Sequence, residues 1–411
     1  MKKKLLLLLI ITLFFAATIS KSEQKNDEET FWIFQSIDTM KYSRDISREK
    51  LNDPSFNTII DDQVKNIADT GATHVALATP YDTEFIPILK RWVAAARKYN
   101  LKVWFRGNWS GWEGWFNYPK INRSEHIEKT YEFIIQNNDL FQDGDIFTAC
   151  PECENGGPGD PRLTSDTSGH RAFLIEEYEV TQKAFGEIDT DVKSNFNSMN
   201  GDVARLIMDK ETTRALGGTV VIDHYVASPD QLVSDISDIA KNSGGQVVLG
   251  EFGAPIEDIN GKMTEDEQAA WLDEAFSKMV QEKSLIGVNY WVNVGGSTQL
   301  WNSNATPRKA VTILTSFYNP SEVQGIIKDE IGRPIADATI RNLYSETVSD
   351  STGSFSLPFL DKKEIEQVNA EGYSLRYIDY ENSNITIILA QDNPSLLYKT
   401  LRLFKQSLKI K

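Results

Sequence analysis

Two short stretches of the chain place a glutamate directly after a run of apolar residues. The first reads Ala-Cys-Pro-Glu-Cys-Glu and ends at Glu154, and the second reads Leu-Gly-Glu-Phe-Gly around Glu251. Two carboxyl groups that face each other across a cleft can hydrolyse a glycosidic bond. One is protonated and assists the leaving oxygen, and the other is ionised and attacks the anomeric carbon. Either glutamate alone is more simply a salt-bridge partner, so the prediction of chemistry depends on the pair.

These stretches belong to a pattern that repeats from residue 31 to residue 318, in which a short apolar segment alternates with an amphipathic one. The short segments have the composition of parallel strands that are buried on both faces. They cover residues 31–37, 73–78, 101–106, 145–150, 192–197, 219–223, 246–251 and 286–292. Between them, apolar residues recur at helical spacing, as Ile88, Leu89 and Trp92 do.

Eight strand and helix units over about 290 residues predict an α/β fold, a (β/α)8 TIM barrel spanning residues 30–319. A dinucleotide-binding open sheet fits less well, because no glycine-rich phosphate-binding sequence follows the first strand. Active sites of such barrels lie at the carboxyl ends of the strands. The two glutamates follow the fourth and seventh strands, so we expect them to face each other across the barrel mouth.

The composition restricts the function further. The 411 residues carry 43 basic and 59 acidic side chains, a formal charge of -16, and this acidity argues against a nucleic-acid partner. With 40% hydrophobic and 25% charged residues, the chain has the balance of a soluble globular protein. The four histidines fall in separate units, so we expect no metal site, and no motif indicates a cofactor.

The N-terminus has the features of an export signal. Lysines at positions 2–4 precede an apolar run at residues 5–17, and small and polar residues follow. The run is short for a membrane span. We therefore expect a signal peptide at residues 1–20, a linker at 21–29 and a secreted or cell-surface protein. An uncleaved N-terminal anchor is the alternative.

The two cysteines of the chain, Cys150 and Cys153, flank Glu152. A loop rich in glycine and proline follows them, whereas a redox-active C-x-x-C pair needs a helix there, and two cysteines are only half of a zinc site. In an exported protein, a local disulfide and two free thiols both remain open.

After residue 320 the pattern changes to alternating strands separated by glycine-containing turns. Residues 320–391 resemble the carboxypeptidase regulatory-like β-sandwich module, which implies a spacer or docking role. Residues 392–411 form a tail whose last sixteen positions carry five basic and no acidic side chains, and Leu397, Leu401 and Phe404 share one helical face. Such a helix could lie on an anionic membrane. A helix packed on the acidic protein, or a frayed tail, is the alternative.

With its glutamates after strands four and seven, the barrel resembles the clan A retaining glycoside hydrolases, in particular the family-5-like cellulase and mannanase group. The Gly-Glu-Phe-Gly sequence is similar to that group's nucleophile motif. The resemblance implies that Glu251 is the nucleophile and Glu152 the acid/base, with Glu154 as the alternative acid/base. His224 and Tyr225 resemble the His/Tyr element beside the nucleophile. This implies that Tyr225 donates a hydrogen bond to Glu251 and keeps it ionised.

The same resemblance implies several substrate contacts. Trp291 after strand eight resembles the tryptophan that forms the floor under the reacting sugar. The family's Asn-Glu-Pro is here Pro-Glu-Cys, so the asparagine that contacts the sugar 2-hydroxyl is missing, and Asn197 or Asn195 is the expected substitute. The family's arginine after strand two is also missing. Arg106 after strand three is expected to reach the site instead, or else to form a structural ion pair, and Asn108 follows it into the same loop.

Three tryptophans, Trp109, Trp112 and Trp115, lie within seven residues and are separated by glycine, serine and glutamate rather than placed at helical core spacing. Aromatic faces stack on sugar rings, so we expect this loop to form a subsite in which Trp112 is the principal contact. A hydrophobic plug over the barrel rim is the alternative.

The sequence thus predicts a secreted, monomeric retaining glycoside hydrolase that cleaves β-glycosidic bonds in a polysaccharide or oligosaccharide. A transglycosylase would use the same carboxylates. A non-catalytic glycan-binding surface protein would keep only the aromatic cleft, and an adhesion or scaffold protein would act through the sandwich and tail. The strand-seven motif favours catalysis, whereas the altered strand-four motif favours binding.

Overall fold

The computed structural model describes residues 30–342, 345–359, 365–381 and 384–408. The expected signal peptide and linker lie outside these ranges. Eight parallel strands with surrounding helices come first, and two small sheets and one helix follow from residue 321. The predicted fold class, a (β/α)8 barrel followed by a small all-β unit, is confirmed.

The barrel strands are β1 (Phe34–Asp38), β2 (His74–Leu77), β3 (Lys102–Phe105), β4 (Ile146–Phe147), β5 (Ser198–Asn200), β6 (Thr219–Asp223), β7 (Gln246–Phe252) and β8 (Leu285–Tyr290). They pair in the order β4-β3-β2-β1-β8-β7-β6-β5. The two ends of this order meet at Lys193, whose carbonyl accepts the Phe147 N–H at 2.8 Å and whose N–H donates to the Asp145 carbonyl at 3.0 Å. The sheet is therefore closed into a ring.

The fifth strand lies later than residues 192–197, where it was predicted, so that prediction is wrong. It pairs with β6 only from Ser198 to Asn200. The preceding residues run in extended form and contact β4 through the bridge between Lys193 and Ile146. Val192 and Phe196 are buried in this lead-in. Burial of an apolar run does not by itself distinguish a strand from an extended connection.

The helices pack their apolar stripes against the outside of the barrel. In chain order they are α1 (Met40–Ser43), α2 (Ser47–Lys50), α3 (Phe56–Ala68), α4 (Ile86–Lys98), α5 (Ser110–Glu113), α6 (Arg123–Gln136), α7 (Pro161–Thr164), α8 (Thr167–Glu187), α9 (Gly201–Ile207), α10 (Lys210–Ala215), α11 (Pro229–Ser243), α12 (Glu257–Asn260), α13 (Glu265–Met279) and α14 (Lys309–Tyr318). In α4 the predicted stripe of Ile88, Leu89 and Trp92 is buried. Reciprocal capping boxes begin α6, at Asn122 and Glu125, and α13.

The residues after the barrel form two small sheets around a separate apolar core. Their strands are β9 (Ser321–Asp329), β10 (Thr339–Arg341), β11 (Glu346–Val348), β12 (Ser354–Phe359), β13 (Gln367–Asn369), β14 (Tyr373–Glu381) and β15 (Asn384–Gln391). One sheet has the order β12-β9-β15-β14 and the other β11-β10-β13. Ile327, Ile340 and Leu357 lie in the shared core. Its alternation of buried and exposed positions is the pattern from which strands were predicted.

A last helix, α15 (Leu396–Leu408), follows the sheets. It contacts them through Tyr398, which is buried and lies under the Arg333 guanidinium, and through Arg402, whose Nη1 is 3.0 Å from Glu330 Oε2. Among the described residues, no helix combines the length and the apolar character that a membrane crossing requires.

Candidate active site

The barrel interior changes from an apolar layer to a polar one toward the carboxyl ends of the strands. The apolar layer takes one side chain from each of β1 to β4, from the lead-in to β5, and from β6 and β7: Phe34, Ala76, Trp104, Ile146, Phe196, Val221 and Val248. Side chains alternate along a strand, so residues two positions further on form the next layer. That layer contains Arg106, Ser198 and Asp223, which are hydrogen-bonded to one another.

Arg106 is the centre of this polar layer and is 2% exposed. Its Nη2 donates to Glu251 Oε1 at 2.9 Å and to Asp223 Oδ2 at 3.0 Å, and its Nε lies 3.5 Å from Asp38 Oδ2. Nη1 donates to the Gly250 carbonyl. Every part of the guanidinium thus faces protein, so the expected substrate contact of Arg106 is absent and the ion-pair alternative describes it.

The four groups of this cluster alter one another's ionisation. Burial alone would lower the pKa of Arg106, but the carboxylates of Asp223, Glu251 and Asp38 raise it above its ordinary value. Burial raises the pKa of each of the three carboxyls, and Arg106 opposes this in each case. Sequence reasoning missed Asp38 and Asp223. Their signal was their position as acidic residues at the ends of β1 and β6.

Glu251 has a donor on each carboxyl oxygen. Besides Arg106 on Oε1, the Tyr225 hydroxyl donates to Oε2 at 2.9 Å, which is the hydrogen bond expected from the sequence. Burial, and next the Glu251 charge, raise the pKa of Tyr225 well above its usual range, so the phenol keeps its proton. His224 differs from expectation. Its ring turns to Asp235 at 2.8 Å, and only its main-chain N–H contacts Glu251, through the carbonyl.

Glu152 follows β4 in a tight turn with left-handed backbone angles, φ 45° and ψ 52°. Such a conformation costs a non-glycine residue about 1–3 kcal/mol. Its N–H donates to the Ser198 carbonyl at 2.8 Å, and its Oε2 accepts from Asn155 Nδ2 at 3.0 Å. Burial, and then the charges of Asp223 and Glu154, raise the pKa of Glu152 to about 8. At neutral pH this carboxyl therefore carries a proton.

Glu154, the alternative acid/base, is held differently. Its Oε1 accepts the Asn200 N–H at 2.7 Å, and its Oε2 is buried without a hydrogen-bond partner. Burial raises its pKa to about 7. The charge of Glu152 is among the causes that raise the pKa of Glu251, so Glu152 is a carboxyl in electrostatic contact with the candidate nucleophile.

A disulfide joins Cys150 and Cys153, which decides between the two states left open by the sequence. The tryptophan loop packs against this turn. Trp112 is 3% exposed, stacks on Phe173 with ring centroids 5.0 Å apart, and donates from Nε1 to the Cys153 carbonyl at 3.1 Å. A Cβ on Gly157 would lie 2.2 Å from the same ring. The prediction of Trp112 as a sugar contact is therefore wrong, because the loop closes over it.

Trp291, directly after β8, is only partly buried and packs against Tyr225, the donor to Glu251. Its ring meets Tyr225 edge to face at 6.0 Å, and the Lys41 ammonium is 5.6 Å from its ring centroid. The Arg44 guanidinium lies 4.6 Å from the centroid of the partly buried Trp115 ring. Flat aromatic faces edged by cations suit the apolar faces and hydroxyls of a sugar.

Neither Asn108 nor Asn197 offers its side chain to a sugar in the cleft. Asn108 is buried, donates from Nδ2 to Glu113 Oε1 at 2.9 Å and has Oδ1 3.0 Å from His126 Nε2. Asn197 is buried, and neither of its side-chain polar atoms has a partner. Its neighbours Phe196 and Ser198 face the barrel interior, so alternation directs Asn197 to the helical side.

Glu113 is a carboxyl that sequence reasoning missed. Burial raises its pKa to about 7, and its charge contributes to the raised pKa of Glu152. It belongs to the tryptophan loop, and no motif singled it out. In the described part of the chain, no group of three or more His, Cys, Asp and Glu residues is arranged to hold a metal ion.

Comparison with known proteins relates the fold to solved structures. No protein-family model matches the sequence, and no curated protein matches it significantly. A GH5_18 protein from Bifidobacterium longum, in complex with Manβ1-4GlcNAc, aligns with a TM-score of 0.50 and 14% identity over 72% of this chain and 82% of its own. The β-glycosidase BGL167 aligns with a TM-score of 0.49 and 12% identity over 71% and 96%. A β-glucuronidase from Ruminococcus gnavus aligns with a TM-score of 0.44 and 13% identity over 64% of this chain and 45% of its own. The chain shares the barrel fold of the first of these.

Proposed function

We propose that this protein is a retaining glycoside hydrolase that cleaves β-glycosidic bonds, with Glu251 as nucleophile and Glu152 as acid/base. The distribution of hydrogen-bond donors carries the proposal. Glu251 receives a charged donor from Arg106 and a phenol donor from Tyr225, whereas Glu152 receives one amide donor, from Asn155. Donors stabilise the ionised form of a carboxyl. Burial raises the pKa of both carboxyls, and the two donors on Glu251 oppose this, so we assign the negative charge to Glu251 and the proton to Glu152.

This proton distribution is the one that double displacement requires. Glu152 donates its proton to the glycosidic oxygen while Glu251 attacks the anomeric carbon, which forms a glycosyl-enzyme and releases the leaving sugar. Glu152, now ionised, then takes a proton from water as that water attacks the anomeric carbon and displaces Glu251. Arg106 and Tyr225 keep Glu251 oriented through both steps, and no cofactor enters the reaction.

The substrate is proposed from the walls of the site. Trp291 beside Tyr225 offers an aromatic face for the sugar that occupies the cleaved position. The B. longum protein with the same barrel fold holds Manβ1-4GlcNAc. The substrates to be tried therefore include a β-mannosyl disaccharide as well as β-glucans and β-mannans.

The proposal is tested by release of reducing ends from a panel of β-linked oligosaccharides and aryl β-glycosides. Glu251→Gln keeps the shape of the side chain but removes the nucleophile, and we expect kcat to fall by at least about a thousandfold. Glu128 is an exposed glutamate on α6, so Glu128→Gln is the matched control and should keep full activity. If wild type releases no sugar but binds glycans as tightly as Glu251→Gln, the protein is a glycan-binding barrel.

The stereochemistry of the first-formed product tests the retaining mechanism. Proton NMR of early product should show the β-anomer before mutarotation. An α-anomer would mean inversion and remove the nucleophile role of Glu251. A product longer than the substrate, formed at high sugar concentration, would favour the transglycosylase alternative.

We also propose that the protein is exported and acts at or outside the cell surface, and that residues 320–391 serve as a spacer similar to the carboxypeptidase regulatory-like module. The proposal of export is supported by the lysines and apolar run of residues 1–20. N-terminal sequencing of the protein from its native compartment should begin near residue 21. A chain that retains its first residues would favour the membrane anchor.

The tail is proposed to rest on an anionic membrane surface. Leu396, Leu397 and Leu403 on α15 are 83%, 70% and 66% exposed, although α15 is held to the sheets through Tyr398. The five basic and no acidic residues of the last sixteen positions complement anionic lipid on a protein of charge -16. Leu397→Ser/Leu401→Ser should abolish sedimentation with phosphatidylglycerol vesicles, and Leu163→Ser, exposed on the barrel, should not. Equal binding of both variants to the vesicles would overturn the proposed membrane contact. So would a dimer that wild type forms and Leu397→Ser/Leu401→Ser does not, because the leucines would then contact a second copy of the chain.

A further inference from the structure

The disulfide between Cys150 and Cys153 closes a ring of four residues, and Glu152 is inside that ring. The two Cα atoms are 5.3 Å apart and both cysteines are buried. The catalytic role proposed for Glu152 uses none of these sulfur atoms.

Glu152, inside this ring, has an unusual backbone conformation. Its φ of 45° lies in the left-handed region, which non-glycine residues seldom adopt. Two main-chain hydrogen bonds accompany this conformation: Glu152 N–H to the Ser198 carbonyl and Asn155 N–H to the Glu152 carbonyl, both at 2.8 Å. Because the backbone angles fix the direction of the Cα–Cβ bond, they also fix where the carboxyl points.

The outer side of the ring is tied to the tryptophan loop. Trp112 Nε1 donates to the Cys153 carbonyl at 3.1 Å, and Asn108 Nδ2 lies 3.7 Å from Cys150 Sγ. Both partners are themselves buried. The disulfide-closed turn is therefore held against buried residues of the tryptophan loop, and we expect an open ring to let the turn relax toward ordinary backbone angles.

We propose that the Cys150–Cys153 disulfide is a positioning element that holds the Glu152 carboxyl in its proton-donating place. This inference rests on the proposed glycosidase function. It means that the acid strength of the site depends on a closed ring, so the enzyme reaches full activity only where the disulfide can form and persist, as in an exported protein.

The test compares wild type with Cys150→Ala/Cys153→Ala on two aryl or alkyl glycosides of the same sugar. A poor leaving group needs protonation and a 2,4-dinitrophenyl group does not. We expect kcat/KM to fall at least about tenfold for the poor leaving group and less than about threefold for the good one. The basic limb of the pH profile should move at least about one unit lower, because a released Glu152 is better solvated. Adding Glu152→Gln should remove the difference between the two backgrounds.

A merely structural disulfide would reduce both substrates equally, leave the pH profile in place and overturn the proposal. Thermal unfolding of the double variant checks that it folds, and the single variant Cys153→Ser provides a second opening of the ring. The pKa of Glu152, followed by carbon-13 NMR with Glu152→Gln as the assignment control, does not need turnover. An unchanged value in the ring-opened protein overturns the inference, whereas wild-type inactivity on every glycoside overturns the proposed function.

Discussion

The hydroxyl of Tyr225 lies 2.9 Å from Glu251 Oε2, on the opposite side of the carboxyl from Arg106. The carboxyl is thus held between a neutral donor and a charged one. Rotation of the side chain would break both hydrogen bonds at once. The arrangement fixes the orientation of the carboxyl, and the Arg106 charge opposes the burial that raises the pKa of Glu251 well above its usual range.

Tyr225→Phe removes one of these two donors without changing the shape of the ring. A hydrogen bond to a charged group contributes about 1.5–3 kcal/mol, so we expect kcat/KM to fall about 10- to 100-fold. The free energy of unfolding, measured with urea, should fall by no more than about 3 kcal/mol, because a single hydrogen bond to a charged group is lost. Full activity in Tyr225→Phe would show that Arg106 alone orients Glu251.

Asp223→Asn tests the electrostatic coupling within the site. After burial, the Asp223 charge is the largest cause that raises the pKa of both Glu251 and Glu152. Activity needs Glu251 ionised and Glu152 protonated. The pKa of Glu251 therefore sets the acidic limb of the pH profile, and the pKa of Glu152, about 8, sets the basic limb. Removing the charge lowers both values, and both limbs of the pH profile of kcat/KM should move to lower pH. Asp238→Asn, on the exposed side of α11, should leave both limbs unchanged.

Glu154→Gln separates the two candidate acids. Burial raises the pKa of Glu154 to about 7 from an ordinary 4.5, so the folded state holds this proton more tightly than the unfolded state. Its contribution to stability is present below pH 4.5 and is lost as the pH rises to about 7. Glutamine does not titrate, so the free energy of unfolding of Glu154→Gln relative to wild type should rise by at most about 3 kcal/mol from pH 5 to pH 8, as measured by urea unfolding.

The activity of the same variant decides the assignment. If Glu152 is the acid/base, Glu154→Gln keeps kcat within about threefold of wild type on a poor leaving group, whereas Glu152→Gln loses at least about a hundredfold. Glu128→Gln again serves as the control. The reverse result would transfer the acid role to Glu154.

Two tryptophans at the mouth should respond to alanine in opposite ways. Trp112→Ala removes a buried ring stacked on Phe173 and should cost about 3–5 kcal/mol of unfolding free energy. Trp291→Ala should instead raise KM about tenfold with a smaller loss of stability, because its ring is partly exposed beside Tyr225. Calorimetry and initial rates measure the two effects. If both substitutions raise KM equally, Trp112 contacts the sugar after all.

The barrel and its two glutamates could be predicted because parallel topology brings the carboxyl ends of all strands to one mouth. The direction of individual side chains could not. Tyr225 and His224 are adjacent, yet only the Tyr225 side chain contacts the Glu251 carboxyl. The strands beside them pair irregularly: β6 with β7 between Ile222 and Asp223, and β7 with β8 between Leu249 and Phe252. No local pattern in the sequence encodes these shifts.

The loop residues were the least predictable for a related reason. Trp112 and Asn108 have the residue types of sugar contacts, but the disulfide turn and Gly157 close over Trp112, and Glu113 takes the amide of Asn108. The contacts of Trp112 join segments about 40 residues apart, so spacing within one segment does not report them. Asp38 and Asp223 could have been found, since both are charged residues at the last position of a buried strand.

The closure of the barrel sheet at Lys193 has a consequence for folding. Strands β1 to β4 contribute Glu152 and Arg106, whereas β5 to β8 contribute Glu251 and Asp223, and the two halves meet between β4 and β5. The main-chain N–H of Glu152 is itself one of the bonds across this seam. A chain whose halves have each collapsed but not joined has one carboxyl of the pair on either half and no cleft between them. Regain of catalysis during refolding thus reports the joining of the halves, later than any signal from helix formation.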